Sequence, residues 1–306
     1  MPQPQPIIID CDPGIDDAIA LMLAFASPEE LEVLAVTTVA GNVGLHHTEP
    51  NARRIRDLCG ATRVPVLAGC PRPLLRAMVD AGEIHGETGL EGCELPKARG
   101  IADPRHAVAY LRATIAARPG EITIVAVGPL TNLAVALVER PELARGVRRI
   151  VIMGGAAGSG NVTPHAEFNF FADPHAARIV FESGAPISMY GLDITRQVRA
   201  EADWLARIER LGSPVADTAV RMLRHYGSVG GALHDVLAVG HLLRGDCFTL
   251  EPCSVQIETD DPAMIGKSHV ERDVGSGKAN ADVGFRADAP TFLSFLEERL
   301  GRYSQH

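Results

Sequence analysis

The densest cluster of chemically active side chains lies near the start of the sequence, in the segment DCDPGIDD at residues 10–17. Asp10 and Asp12 are alternate residues after an apolar run and therefore share one face of a strand end. A Pro-Gly turn then brings the next two aspartates back over them. Carboxylates that converge in this way raise one another's pKa unless a cation neutralises them. The segment therefore predicts a cation site, and ligands without Cys or His favour Ca²⁺ or Mg²⁺ over zinc.

A simpler role is open for one of these aspartates. Asp16 or Asp17 could cap the helix that follows, where a carboxylate accepts hydrogen bonds from unpaired backbone N–H groups. Capping does not explain all four acids. The spacing also differs from an EF-hand, which has further ligands at fixed positions and a Glu at the end of its loop.

The elements that position this cluster are short β-branched runs alternating with amphipathic helical segments. This alternation predicts an α/β fold, with an open, mostly parallel, Rossmann-like sheet and helices on both faces. Residues 200–245 are expected to be helical throughout, and residues 253–285 to form short, possibly antiparallel, strands before a last helix over about 290–301. Without a repeat or a linker, residues 1–306 are expected to form a single domain. The apolar runs that predict strands lie in segments 6–10, 31–41, 64–69, 121–132, 148–155 and 186–193.

Polar clusters follow four of the expected strands directly. They are the aspartate segment, Gly41-Asn42, the segment GPLTN at 128–132 and Met153-Gly154-Gly155. Ligands of open parallel sheets bind beyond the carboxyl ends of the strands. The four clusters therefore predict one shared site at this edge.

Composition limits the partners. With 29 basic and 38 acidic residues the formal charge is −9, which argues against nucleic acid or an anionic membrane as partner. No apolar stretch approaches the ~20 residues of a membrane span, and the N-terminus MPQPQP lacks the features of a signal peptide. The six scattered cysteines are typical of reduced thiols. We expect a cytoplasmic protein.

The segment DCDPGIDDAIAL resembles the N-terminal signature of the calcium-dependent, inosine-uridine preferring nucleoside hydrolases. The similarity continues in order along nearly the whole chain. It includes AGN (40–42), IHGETG (84–89), VGPLTN (127–132), MGG (153–155), the GN…AEFNF..DP pattern (160–174) and LHD (233–235). It implies hydrolysis of the N-glycosidic bond of a ribonucleoside, in nucleoside catabolism or salvage, by a homodimer or homotetramer.

The resemblance implies the metal ligands and the base. Asp12, Asp17 and Asp235 would donate carboxylate oxygens to Ca²⁺, the backbone carbonyl of Val127 would complete the set, and Asp10 would support it from behind. In the family the ion also holds the ribose 2′- and 3′-hydroxyls and a water, whose proton Asp12 would take as general base.

The substrate contacts also follow from the resemblance. Five polar residues would hydrogen-bond the sugar hydroxyls: Asp16, Asn42, Asn161, Glu167 and Asn169. Met153 and Phe168 would line the sugar pocket, His85 would lie near the 5′-hydroxyl or the base, and His234 would protonate or hydrogen-bond the leaving base. Taken alone, residues 167–169 read as a solvated strand edge. His225-Tyr226 read as helix surface, with contact between one of these rings and the base as the alternative. The preferred base is not specified.

Two other functions stay open from the residues alone. A Mg²⁺-dependent phosphohydrolase could use Asp10 as its nucleophile, although Pro13-Gly14 follows where such enzymes have a DxDxT-like signature. A nucleoside- or ribose-binding protein without catalysis could use the same scaffold.

Overall fold

A computed structural model describes residues 3–227, 231–272 and 278–305. One nine-stranded sheet runs through these residues, in the order β3-β2-β1-β4-β5-β6-β9-β7-β8. The strands are β1 (Gln5–Cys11), β2 (Leu31–Thr38), β3 (Val66–Ala68), β4 (Thr123–Ala126), β5 (Arg149–Met153), β6 (Ile187–Tyr190), β7 (Phe248–Ile257), β8 (Ser268–Glu271) and β9 (Ala281–Ala287).

The sheet confirms the predicted fold class. All pairings from β3 through β6, and that of β6 with β9, are parallel. The pairings of β7 with β9 and with β8 are antiparallel, as expected for the C-terminal strands. The first six strands have the Rossmann order, in which the direction of strand addition reverses beside β1.

Helices cover both faces of the sheet. They are α1 (Ile15–Phe25), α2 (Leu45–Leu58), α3 (Gly82–His85), α4 (Ala107–Ala117), α5 (Thr131–Glu139), α6 (Leu143–Gly146), α7 (Phe168–Ala172), α8 (Pro174–Glu182), α9 (Leu192–Thr195), α10 (Ala202–Glu209), α11 (Pro214–Gly227), α12 (Val236–Arg244) and α13 (Ala289–Gly301). Side chains of each strand alternate between two cores: Ile7 and Ile9 pack in one with α1 and α12, and Ile8 packs in the other with α4 and α5.

The prediction of continuous helix over 200–245 is wrong. The helices α10, α11 and α12 occupy this range, with a break before α12. Ala232 pairs with Arg199 in an isolated antiparallel bridge, and the Leu233 N–H donates to the Val198 carbonyl at 2.8 Å. The glycines of the segment YGSVGGALHD favour this break, and residues 228–230 within it lie outside the described part of the chain.

Within the described residues, no helix has the length and apolar character needed to cross a membrane. The cytoplasmic location and the homo-oligomeric state stay predictions.

Asp235 lies at the start of α12, so its position depends on how this helix packs. Gly240 lies in the middle of this helix, and a Cβ atom there would come within 2.4 Å of the fully buried Phe292 ring of α13. We expect Gly240→Ala to lower the free energy of unfolding. Overpacking costs about 2 kcal/mol, whereas the gain in helix propensity is about 1 kcal/mol.

Urea unfolding measures this change, and Gly245→Ala is the matched control, because a Cβ at Gly245 meets no described atom within 4 Å. Equal stabilities of the two variants would contradict the packing argument.

Candidate active site

A cavity of about 660 Å³ opens at the carboxyl edge of the sheet, within the range of small-molecule sites. It brings together most of the residues that the sequence predicts for the site. Those that line it are Asp16, Asn42, His85, Val127, Met153, Asn161, Glu167, Phe168, Asn169, His234 and Asp235. The remaining three predicted residues, Asp10, Asp12 and Asp17, are buried beside it.

Three carboxylates from opposite ends of the sequence meet at the floor of the cavity. Asp16 and Asp17 come from the first turn of α1, and Asp235 is the N-cap residue of α12. Each offers one oxygen, these oxygens lie within 4.8 Å of one another, and all three residues are buried. Burial and the neighbouring carboxylates raise the pKa of Asp235 well above its usual range and that of Asp17 to about 7. Three oxygen donors at this distance form a chemically suitable cation site.

The chain at the start of α1 folds around the carboxylate of Asp17. Its two oxygens accept hydrogen bonds from the N–H groups of Asp12 (3.1 Å) and Gly14 (3.0 Å). Gly14 is the N-cap residue of α1, so the carboxylate reaches back to it as in a capping box. Asp17 therefore has the capping role that the sequence left open, in addition to its place in the acidic group.

Asp12 lies immediately behind this group. Its Oδ2 accepts a hydrogen bond from the Asn42 N–H at 2.6 Å, and its buried Oδ1 has no hydrogen-bond partner among the described residues. A Cβ at Gly41 would come within 2.0 Å of Oδ2, and one at Gly128 within 2.5 Å of Oδ1. Both positions are therefore glycine because a side chain there would collide with the Asp12 carboxylate. Burial, and next the charge of Asp17, raise the pKa of Asp12 well above its usual range.

Asn169 connects the carboxyl ends of β4 and β5. Its side-chain amide donates to the carbonyls of Val127 (2.9 Å) and Met153 (3.1 Å). A carbonyl oxygen accepts up to two hydrogen bonds, so the Val127 oxygen keeps one lone pair for a further contact.

Asp10 lies deeper, at the end of β1. Its Oδ1 accepts hydrogen bonds from the Thr37 hydroxyl (2.5 Å) and the Asn132 amide (2.8 Å). Burial raises its pKa to about 6. Fully buried and outside the cavity lining, Asp10 is placed to support the segment that carries Asp12.

Glu167 caps the short helix α7 from inside the protein. Its carboxylate accepts hydrogen bonds from the N–H groups of Gly155 (2.8 Å), Asn169 (2.8 Å) and Phe170 (3.2 Å). Burial outweighs these bonds and raises the pKa of Glu167 to about 7. The solvated strand edge that the local pattern suggested is therefore wrong for this segment.

Two histidines form the upper wall of the cavity. His85 Nδ1 accepts a hydrogen bond from the Ile15 N–H at 3.1 Å, so its proton lies on Nε2 when the ring is neutral. His234 Nδ1 shares a hydrogen bond with the Thr195 hydroxyl at 2.8 Å, which leaves Nε2 for other partners. Burial lowers the pKa of both rings, so both favour the neutral form.

Sequence reasoning favoured a helix-surface position for Tyr226 over a base contact and left it out of the site residues. Its ring stacks on His85 with centroids 5.5 Å apart, and its hydroxyl donates to Asp16 Oδ2 at 3.4 Å. The helix-surface interpretation is therefore wrong for Tyr226, which is 7% exposed. Its spacing from Val215, Ala219 and Leu223 on the buried face of α11 was the available signal.

Comparisons with known proteins show the family to which this chain belongs. The family model "Inosine-uridine preferring nucleoside hydrolase" matches residues 7–294. An uncharacterised protein of Schizosaccharomyces pombe is 45% identical, covering 97% of this chain and 99% of its own. The pyrimidine-specific ribonucleoside hydrolase RihB of Escherichia coli O139:H28 is 41% identical, covering 97% of each chain. The structure of a purine-preferring ribonucleoside hydrolase from Gardnerella vaginalis has a TM-score of 0.91 at 30% identity, covering 98% of this chain and 99% of that one.

The sheet and its acidic cavity are thus those of a nucleoside-cleaving hydrolase with a Rossmann-like α/β fold. The chain belongs to the inosine-uridine preferring nucleoside hydrolase family, which confirms the resemblance found in the sequence.

The raised pKa of Glu167 predicts a specific pH dependence of stability. Between the ordinary value of 4.5 and about 7 the folded state holds a proton that the unfolded chain has lost, so this residue destabilises the fold progressively as pH rises. Glu167→Gln removes the effect. In the presence of chelator, the free energy of unfolding of Glu167→Gln minus that of the wild type should increase by about 1.4 kcal/mol for each pH unit between 4.5 and about 7.

The measurement is urea unfolding at pH 5, 6 and 7. Loss of a backbone hydrogen bond would add a constant difference at every pH, so only the slope is diagnostic. Parallel curves for the two proteins would contradict the raised pKa.

Proposed function

We propose that this nucleoside hydrolase cleaves the N-glycosidic bond of ribonucleosides in a Ca²⁺-dependent reaction, with Asp12 as the general base. The observation that carries the proposal is the unpartnered buried Oδ1 of Asp12 beside the three converging carboxylates. The ribonucleoside substrates in the names of the two characterised relatives support it.

The residues fit a hard cation. The donors are oxygens only, and burying several carboxylates together is unfavourable without a positive charge. Asp12, Asp17, Asp235 and the carbonyl of Val127 would hold the ion, and Asp16, whose oxygen lies in the same tight group, would complete its acidic surroundings. When bound, Ca²⁺ would orient the vicinal ribose hydroxyls and lower the pKa of a water.

The side chains of this protein would perform the remaining steps. Asp12 would take the proton from the attacking water through Oδ1. The inverting pattern has a carboxylate activating water on the face opposite the leaving group, and the transition state is oxocarbenium-like. The negative charge of the floor would stabilise it. Asp16, Asn42, Asn161, Glu167 and Asn169 would hydrogen-bond the sugar hydroxyls.

The leaving base would face the neutral histidines. His234 keeps Nε2 for the base because Thr195 occupies Nδ1. His85, fixed by the Ile15 N–H, would contact the base or the 5′-hydroxyl with the Nε2–H group.

Asp10 is poorly placed for the alternative phosphohydrolase. A nucleophile must contact the substrate, whereas Asp10 is fully buried, accepts two hydrogen bonds and lies outside the cavity lining. Release of free base from inosine, adenosine, guanosine, uridine or cytidine, without phosphate release from nucleotides, would exclude this alternative. Binding of these nucleosides without turnover would instead favour a non-catalytic protein.

We expect Asp12→Asn to reduce kcat by about 10²–10⁴-fold, the range for loss of a general base. The substitution keeps the shape of the side chain, so KM should change much less. Quantified free base gives both constants, and the control Asp203→Asn makes the same chemical change on the exposed surface of α10. Turnover close to wild type would refute the assignment of Asp12.

We expect chelation to abolish turnover and Ca²⁺ to restore it. Ca²⁺ should also raise the Tm of chelator-treated protein, because a ligand at 100 times its Kd stabilises the fold by about 2.7 kcal/mol. Asp235→Asn should show a smaller Tm increase, and Asp203→Asn the full increase. Full activity of metal-free protein would show that the metal role is wrong.

A further inference from the structure

Two charged side chains of the α9 region hold one exposed stretch at the rim of the cavity. The carboxylate of Asp193 accepts hydrogen bonds from the N–H groups of Ala157 (2.6 Å) and Gly158 (3.0 Å). The guanidinium of Arg196 donates to the carbonyls of Ser159 (2.8 Å) and Gly160 (2.7 Å). Four consecutive residues are thus each fixed by a charge-assisted hydrogen bond.

The next residue along the chain is Asn161. Its N–H donates to the Ala166 carbonyl at 3.1 Å, and the Gly160 N–H donates to the Pro164 carbonyl at 3.2 Å. A Cβ at Gly160 would come within 2.2 Å of the Ala166 backbone, so the turn closes tightly here. The backbone of Asn161 is therefore fixed from both sides.

The side chain of Asn161 is left available. It lines the cavity, is exposed, and its carboxamide makes no hydrogen bond to any residue of the described ranges. Because the backbone is already fixed, a ligand that binds this carboxamide would have to order only the rotamers of one side chain.

We propose that Asp193 is a positioning residue for substrate binding, acting through Asn161. With Arg196 it holds residues 157–160 so that the Asn161 carboxamide faces the sugar. The short helix α9 also carries Thr195, the hydrogen-bond partner of His234. The same short helix therefore contacts both the stretch that precedes Asn161 and the histidine that is proposed to face the base. The proposal rests on the proposed function, in which Asn161 contacts the sugar.

Asp193 is the residue to test, because Arg196 itself lines the cavity whereas Asp193 lies outside its lining. Asp193→Ala should raise KM for ribonucleosides about tenfold and change kcat less than threefold, since a freed rim weakens binding more than chemistry. Asp193→Asn, which keeps one accepting oxygen, should give an intermediate KM.

A double-mutant cycle with Asn161→Ala separates positioning from a general effect. If Asp193 acts through Asn161, adding Asp193→Ala to Asn161→Ala should change kcat/KM less than twofold. The matched control is Asp288→Ala, which removes an aspartate that accepts hydrogen bonds from Thr291 at the start of α13. It should lower Tm without raising KM.

Each outcome has a separate meaning. An unchanged KM in Asp193→Ala, or independent losses that multiply in the double variant, would overturn the positioning role while leaving the proposed function intact. Wild-type protein that releases no free base would overturn the proposed function itself, and with it the premise of this role. Should Asp193→Ala not fold, the same cycle is run with Asp193→Asn.

Discussion

The structure depends on holding several carboxylates together in a buried place where they repel one another. The repulsion is partly offset within the protein, because backbone N–H groups donate to Asp12 and Asp17 and because the first turn of α1 presents its positive end there. The raised pKa values of Asp12, Asp17 and Asp235 indicate that this compensation is incomplete. The repulsion that remains between the carboxylates favours the binding of a cation. A cation bound at this edge of the sheet would relieve that repulsion.

The sheet makes this arrangement possible. Parallel strands in the Rossmann order leave a crevice beside β1, where the direction of strand addition reverses. The ends of β1 and β4 enter it with Asp12 and Val127, and α12 adds Asp235 from the far end of the sequence. Gly240 of α12 also lies close to the Phe292 ring of α13, so this contact helps to hold the helix that begins after Asp235.

The predictable part of the site is the part that the sheet positions. Asn42 lies four residues after the end of β2, and segment 128–132 begins two residues after the end of β4. Apolar runs locate both strand ends approximately, so the meeting of these two segments could be expected from the sequence. The role of Val127 itself was indicated only by the family resemblance. Asp235 is different, because its position depends on how helices pack over more than two hundred residues, and only the family resemblance indicated it. Glu167 was ambiguous for the same reason: local alternation does not show that a segment is buried by distant residues. The break before α12 was missed because the helical pattern on both sides outweighed a short glycine-rich segment.

The cavity combines buried acids with imidazole and phenol rings. In the proposed mechanism the acids would match a sugar that gains positive charge as its bond to the base breaks. The upper wall carries His85, His234 and Tyr226, whose pKa shifts favour neutral rings. A neutral ring with one nitrogen fixed by the protein can still exchange a hydrogen bond through the other. The cavity lining also includes the guanidinium groups of Arg196 and Arg199, so positive charge is present near the acids. In the proposed reaction the acids would hold the cation and the sugar, and the rings would recognise the base through hydrogen bonds and stacking.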